Sequence, residues 1–271
     1  MQALAALLLL AQAPSPDQWS CAQKEDFLRT AKVVAMKDLS QGITNSRRAT
    51  LQKDGVTHDA HVQTINEQKA SFQGIHGSEL NFKDSYAFNV AAYKLDRILD
   101  LNMIPVSVVR KVGGTEAAVT WWVDDAIMTE LDRYKKGIAS PNPNQWNQQM
   151  WIVRVFDQLI ANTDRNLGNL VICKNWDIWM IDHTRAFRAR RDLINPANLQ
   201  RCDRTLLERL RKLDYATLEA AFKPHVTKTE IEGLLARRDR IVEYFDAQVR
   251  AKGEANVLYD YLPARAAKYV H

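Results

Sequence analysis

Asp164 and Asn169 stand together in Asn162-Thr163-Asp164-Arg165-Asn166-Leu167-Gly168-Asn169, and Asp182 follows in Met180-Ile181-Asp182-His183. Between them lie two short apolar runs, Leu170-Val171-Ile172-Cys173 and Trp176-Asp177-Ile178-Trp179-Met180-Ile181, separated by Lys174-Asn175. The pattern predicts a β-hairpin. A hairpin returns the chain to its starting point, so a carboxylate, an amide and a second carboxylate are expected in one small volume. That set suits phosphoryl transfer, which asks a protein mainly for positioning and charge compensation. Mg²⁺ is a hard cation that takes one or two carboxylates plus phosphate oxygens. Asp182 is the expected principal metal ligand, with Asn169 adding a neutral oxygen on the same ion or a second one. Asp164 is placed to orient or deprotonate an attacking hydroxyl. Taken singly, each of the three could cap a turn or end a strand. The full set, with its intervening hairpin, is what points to chemistry.

Elements that would deliver these residues can be read on either side. From Asn144 to Ala161 the residues Trp146, Met150, Val153, Phe156 and Ile160 recur at helical spacing, with Trp151, Val155 and Leu159 widening the stripe. A buried helix entered after Pro141 and Pro143 therefore leads into the Asp164 loop. Ser85 to Leu99 reads as another helix. Ser85 offers a cap, and Phe88, Ala91, Ala92, Leu95, Ile98 and Leu99 form the apolar face. Upstream, a polar lead-in ends in a short helix near residue 29. Lys32–Leu39, Arg48–Lys53 and His61–Ile65 then read as strands, with Asp54-Gly55 as a hairpin turn. Lys69 lies beyond the third of these strands and is followed by a predicted loop containing Gly74 and Gly77. Val106–Lys111 and Ala117–Asp124 are strands around Gly113-Gly114. Beyond Asp182 the pattern is helical over 203–212, 215–222, 227–236 and 238–251. Asp203 and Thr227 are the expected N-caps, and Thr227-Lys228-Thr229-Glu230 fits a capping box.

The motif residues carry a resemblance. The segment 155–165, then Gly168-Asn169, then Ile181-Asp182-His183-Thr184-Arg185-Ala186-Phe187, resembles the catalytic core of atypical kinases, whose pattern runs N-x-D-R, x-x-x-N and I-D-x-x-x-A-F. It is most similar to type II phosphatidylinositol kinases and secretory-pathway protein kinases, and more distantly to HipA-like kinases. Phe88-Asn89-Val90-Ala91-Ala92-Tyr93-Lys94-Leu95, with Ile104-Pro105 beyond it, resembles the αC helix and following strand of the same group. The resemblance implies an α+β, two-lobed protein-kinase-like fold. A small antiparallel-sheet N-lobe with an αC-type helix would span 30–124, a larger, mainly helical C-lobe 125–252, and a loosely packed tail 253–271. ATP and Mg²⁺ would sit between the lobes, with adenine against a connection at 125–130. The turn-rich stretch Ser40–Ser46 could then fold over the triphosphate. It holds only Gly42, so it is no G-x-G-x-x-G loop; backbone N–H groups and the hydroxyls of Ser40, Thr44 and Ser46 would make the contacts.

The sequence departs from the family pattern at the phosphate clamp. Active kinases pair a strand lysine with a glutamate on αC. Here Gln63 falls at the lysine position and Asn89 at the glutamate position. The clamp is therefore replaced by two amides, relocated to a residue such as Lys69, or lost.

With 271 residues, 46% of them hydrophobic and 25% charged, the chain can bury a large core. A net charge of +5 is compatible with an anionic ligand such as ATP but is no nucleic-acid signature. The densest basic cluster, Arg185, Arg188, Arg190 and Arg191, could meet phosphate, an acidic substrate or only solvent. Residues 1–13 contain an apolar run ending in Ala11-Gln12-Ala13, too short to span a membrane. It could be an export signal, giving an exported or periplasmic protein, or a truncated start or amphipathic cap on a cytoplasmic one. Cys21, Cys173 and Cys202 show neither metal spacing nor a disulfide framework. The expected activity is ATP- and Mg²⁺-dependent phosphotransfer to a hydroxyl acceptor, a protein Ser or Thr or a small molecule. A nucleotide-binding pseudokinase, or AMP transfer, is the alternative.

Overall fold

The structure, a computed structural model, describes residues 15–39, 46–74 and 77–261, apart from the side chains of 17 and 74–80. Gly42 and Thr44, expected over the triphosphate, lie outside the described residues, as do Ser40, residues 1–14 and residues 262–271.

Helix α1 (Cys21–Thr30) opens with a capping box between Ser20 and Gln23. Strands β1 (Lys32–Asp38), β2 (Arg47–Lys53) and β3 (Val56–Gln63) follow. Asp54 and Gly55 join β2 to β3 with φ of 51° and 79°, the left-handed backbone that a two-residue hairpin turn needs. Next come β4 (Asn66–Gly74), β5 (Gly77–Ser85), helix α2 (Ala87–Leu99), β6 (Ser107–Val112) and β7 (Thr115–Trp121). Five strands form an antiparallel sheet in the order β1-β2-β3-β7-β6. Helices α1 and α2 pack against β6 and β7.

Residues 122–125 cross to the second lobe. It comprises β8 (Ala126–Thr129), α3 (Glu130–Lys135), α4 (Pro143–Ile160), β9 (Leu170–Cys173) and β10 (Ile178–Met180). It continues through β11 (Cys202–Asp203), α5 (Arg204–Lys212), α6 (Tyr215–Phe222), α7 (Lys228–Lys252), α8 (Glu254–Val257) and β12 (Leu258–Tyr259). The expected β9–β10 hairpin is present, and β8 adds to it as a third antiparallel strand. The α+β, two-lobed architecture is the one the resemblance implied. An aromatic column joins the lobes: Phe88 of α2 lies 5.4 Å from Phe187, which lies 5.4 Å from Phe222 of α6.

Several elements differ from expectation. Lys69 and the predicted loop with Gly74 and Gly77 that follows it belong to the β4–β5 hairpin, paired from Asn66↔Ser85 to Gly74↔Gly77. Its first strand is exposed from 66 to 71, so it carries no apolar alternation to reveal it. Ser85 ends β5 instead of capping α2; its hydroxyl donates to Asn66 Oδ1 at 3.0 Å, and Tyr86 takes the cap position. Strand β3 starts at Val56, earlier than His61. Residues 126–129, assigned to the inter-lobe connection, are strand β8. Part of the tail is packed: Val257, Leu258 and Tyr259 are buried, and the Tyr259 hydroxyl donates to the Gln148 carbonyl at 2.7 Å. Among the described residues no helix is long and apolar enough to cross a membrane.

The two helices expected at 227–236 and 238–251 are one, α7, and the supposed break holds a buried cation. Arg237 is fully buried and donates to the carbonyls of Leu159 at 2.9 Å, Arg188 at 2.8 Å and Arg190. Burial without a carboxylate partner, and then repulsion from Arg190, push its pKa down to about 9. One turn earlier, a Cβ on Gly233 would lie 2.6 Å from the Ala189 carbonyl oxygen. Both residues thus clamp the segment after Asp182 onto α7. Gly233→Ala is expected to destabilise the fold by about 1–3 kcal/mol through overpacking, outweighing the helix propensity gained. The check is the urea midpoint, and an unchanged or raised midpoint would count against this packing.

Candidate active site

Helix α4 ends at Ala161 in the left-handed region, φ 49°. The turn is held by Asp157: its carbonyl accepts from Asn162 N–H at 2.9 Å and its carboxylate from Asn162 Nδ2 at 3.1 Å. Asn162 Oδ1 in turn accepts from the Asp164 backbone N–H at 3.1 Å. Asp164 is thus fixed by its main chain while its side chain stays half-exposed. Asn169 Nδ2 donates to the Asp164 carbonyl at 3.3 Å, and the Ile181 N–H donates to the Asn169 carbonyl at 3.0 Å. Asp182 follows at φ 54°. The hairpin therefore gathers Asp164, Asn169 and Asp182 as its topology requires.

Arg165 ties the two motif segments together. It pairs with Asp157 through Nε at 2.9 Å and Nη2 at 3.1 Å, and its Nη1 donates to the carbonyls of Asn169 at 3.0 Å and Ile181 at 2.9 Å. Its Nη2 also lies 3.0 Å from His183 Nε2, so that nitrogen accepts and the ring proton sits on Nδ1. Complete burial, and then repulsion from Arg165, hold the His183 imidazole well below its ordinary pKa and neutral. Arg165→Met would strand the buried Asp157 carboxylate and two carbonyls. It is expected to cost about 3–5 kcal/mol, measured by chemical denaturation. A loss below about 1 kcal/mol would mean that the pair is not a structural tie.

The amides assigned to the clamp positions do meet. Gln63 ends β3 and Asn89 lies in the first turn of α2, both buried. Asn89 Nδ2 donates to Gln63 Oε1 at 2.6 Å, Gln63 Nε2 donates to Asp182 Oδ1 at 3.4 Å, and the His183 N–H donates to Asn89 Oδ1 at 2.7 Å. The chain of hydrogen bonds orients Asp182 from the first lobe but adds no charge. Thr184 contributes a further donor to Asp182 Oδ1 at 3.3 Å. Lys69, the alternative site for the clamp cation, makes no hydrogen bond to Gln63, Asn89 or Asp182 among the described residues. It is exposed on β4 and salt-bridged to Glu67 at 2.7 Å. Ser46 stays at the stem of the β1–β2 connection, where its carbonyl accepts from Leu39 N–H at 3.0 Å.

Residues that sequence reasoning left unassigned complete the surroundings. His61 lies two residues before Gln63 and therefore on the same face of β3. Burial depresses its pKa against the attraction of Asp182. Asp84, buried at the end of β5, pairs with Arg185 at 2.8 Å. The Asp164 carboxyl sits above its ordinary value of 3.8: burial raises it most, Arg185 opposes, and repulsion from Asp182 and Asp84 adds to the rise. Strand alternation could have flagged His61, since it shares a face with Gln63. Asp84 gave no signal, because its strand was not recognised.

Among the described residues no group of three or more His, Cys, Asp and Glu could enclose a metal by itself. The donors gathered here suit a hard cation shared with phosphate. Asp182 offers a carboxylate, and Asn169, with its Nδ2 engaged by Asp164, offers Oδ1.

The sequence matches no protein-family model and no curated protein. The fold, by contrast, is shared with solved kinases. The structure of hydra Fam20 with sugar matches with a TM-score of 0.64 at 14% identity, covering 89% of this chain and 92% of that one. A golgi casein kinase matches with a TM-score of 0.60 at 11% identity, covering 90% and 79%. At these identities the likeness is one of fold: the chain has a two-lobed, kinase-like architecture.

Proposed function

We propose that this protein is an ATP-dependent phosphotransferase acting on a hydroxyl acceptor. The observation that carries this is the convergence of Asp164, Asn169 and Asp182 within a kinase-like fold, with Asp182 bridged to β3 and α2 through Gln63 and Asn89. Asp164 orients the acceptor hydroxyl and takes its proton as the oxygen attacks the γ-phosphorus. The bond from phosphorus to the β–γ bridging oxygen breaks, and its electron pair leaves on ADP. Mg²⁺ held by Asp182 and Asn169 Oδ1 would neutralise charge on the phosphate oxygens. Adenine lies near residues 125–130. The acceptor is a protein Ser or Thr or a small molecule.

One observation favours a second reading, nucleotide binding without transfer. The Gln63–Asn89 pair is neutral, so the usual lysine charge is absent from that position. Incubation of purified protein with ATP, Mg²⁺ and a mixed pool of hydroxyl acceptors separates the readings. Formation of ADP supports phosphoryl transfer, and pyrophosphate would mean AMP transfer. Nucleotide binding with neither product would leave only the binding role.

A further inference from the structure

Arg185 stands three residues beyond Asp182, where β5 meets the segment after the hairpin. Its Nε donates to Asp84 Oδ2 at 2.8 Å. The Asp84 side chain is 2% exposed, and its Oδ1 has no hydrogen-bond partner among the described residues. One guanidinium therefore compensates a buried carboxylate, and that carboxylate fixes the guanidinium in place. The rings of Phe82 and Phe72, with centroids at 5.4 Å and 5.9 Å, flank it further.

The outer edge of this guanidinium makes one long ion pair and no hydrogen bond among the described residues. Among the described residues its two terminal nitrogens donate no hydrogen bond. Asp164 Oδ2 lies 3.8 Å from Nη1, beyond hydrogen-bonding range. The side chain is 27% exposed, so those donors reach open space beside Asp164. Arg165 differs, since its donors are engaged by Asp157 and two carbonyls. A hydroxyl oriented by Asp164 attacks a phosphorus about 3–3.5 Å away. The oxygens on that phosphorus then fall within reach of Nη1.

We propose that Arg185, anchored by Asp84, is the cation that holds the γ-phosphoryl group of ATP, supplying the charge that the Gln63–Asn89 pair lacks. The inference rests on the phosphotransferase reading of the site. Arg185 neither gives nor takes a proton: its N–H donors meet phosphoryl oxygens while the acceptor's proton passes to Asp164. A planar guanidinium suits this role because its parallel donors match phosphate oxygens two at a time.

A γ-phosphate contact should be visible as discrimination between ATP and ADP. Wild type and Arg185→Gln are titrated by calorimetry with MgATP and with MgADP. The expected result is a loss of about ten-fold or more in ATP affinity with ADP affinity nearly unchanged, and partial recovery of ATP affinity in Arg185→Lys. Should Arg185→Gln unfold because Asp84 is left uncompensated, the pair Asp84→Asn with Arg185→Gln removes both charges. The same loss of discrimination is expected there. Equal losses for both nucleotides, or no change in either, overturn the assignment to Arg185 while leaving nucleotide binding intact. A wild type that binds neither nucleotide overturns the phosphotransferase reading and this inference with it.

Discussion

Asp164→Asn is expected to lower turnover by about 10²–10⁴-fold, the usual contribution of a positioned general base, while sparing ATP affinity. The substitution is close to isosteric. It keeps the two main-chain bonds that hold the loop, from Asp164 N–H to Asn162 and from Asn169 Nδ2 to the Asp164 carbonyl. What it removes is the charge and the proton acceptor. The environment of that charge also gives a pH signature. Burial and the repulsion of Asp182 and Asp84 raise the Asp164 pKa despite Arg185, so the acid limb of wild-type activity should lie above the ordinary carboxylate value of 3.8. Protonation of a carboxyl whose folded pKa is raised stabilises the fold, and that contribution disappears as pH rises from 3.8 through the raised pKa. Ionised Asp164 is therefore a destabilising group at neutral pH. Asp164→Asn should lose activity with an unchanged or slightly higher melting temperature. Turnover equal to wild type in the variant would remove Asp164 from the mechanism.

The parts of the site that were legible in the sequence are those where local pattern and topology coincide. Trp146 to Ile160 kept helical spacing, and α4 runs from Pro143 to Ile160. The runs around Lys174-Asn175 formed the hairpin, although its turn extends to Asp177, with Trp176 at positive φ. Gln63 and Asn89 were placed opposite each other by resemblance alone, and they hydrogen-bond. What escaped depends on tertiary context. The β4–β5 hairpin is polar along its exposed strand, so its pairing left no periodic trace. Arg237 falls in the gap between the two helices expected at 227–236 and 238–251, and nothing local marks it as core, because a fully buried arginine is rare without a carboxylate. Its partners are carbonyls of Leu159, Arg188 and Arg190, distant in sequence and invisible as residue types. Asp84 and Arg185 matter only once β5 has been laid against the segment after Asp182, through the bond from Ser85 N–H to the Thr184 carbonyl at 2.9 Å.

Asp182→Asn is expected to abolish the Mg²⁺-dependent part of ATP binding and to cut turnover by roughly 10²–10³-fold, equivalent to about 3–4 kcal/mol of lost charge stabilisation. Asparagine is the informative replacement because Asp182 sits at φ 54°, a conformation that asparagine tolerates and β-branched or bulky residues do not. Its amide oxygen can still accept from Gln63 and Thr184, so the hydrogen-bond chain to Asn89 and the His183 main chain is preserved. Any loss then reports the carboxylate charge and not a rearranged loop. His61 provides an internal check on the same charge. Attraction to Asp182 raises the His61 pKa against a larger depression by burial, so neutralising residue 182 should lower it further, which NMR titration of the imidazole would show. Calorimetric titration with ATP, with and without Mg²⁺, separates two outcomes. Wild-type affinity that rises with Mg²⁺ and a variant that is indifferent to it would place the ion on Asp182. Identical Mg²⁺ dependence in both proteins would place the ion elsewhere, although a downward shift of the His61 titration would still confirm that the charge had been removed.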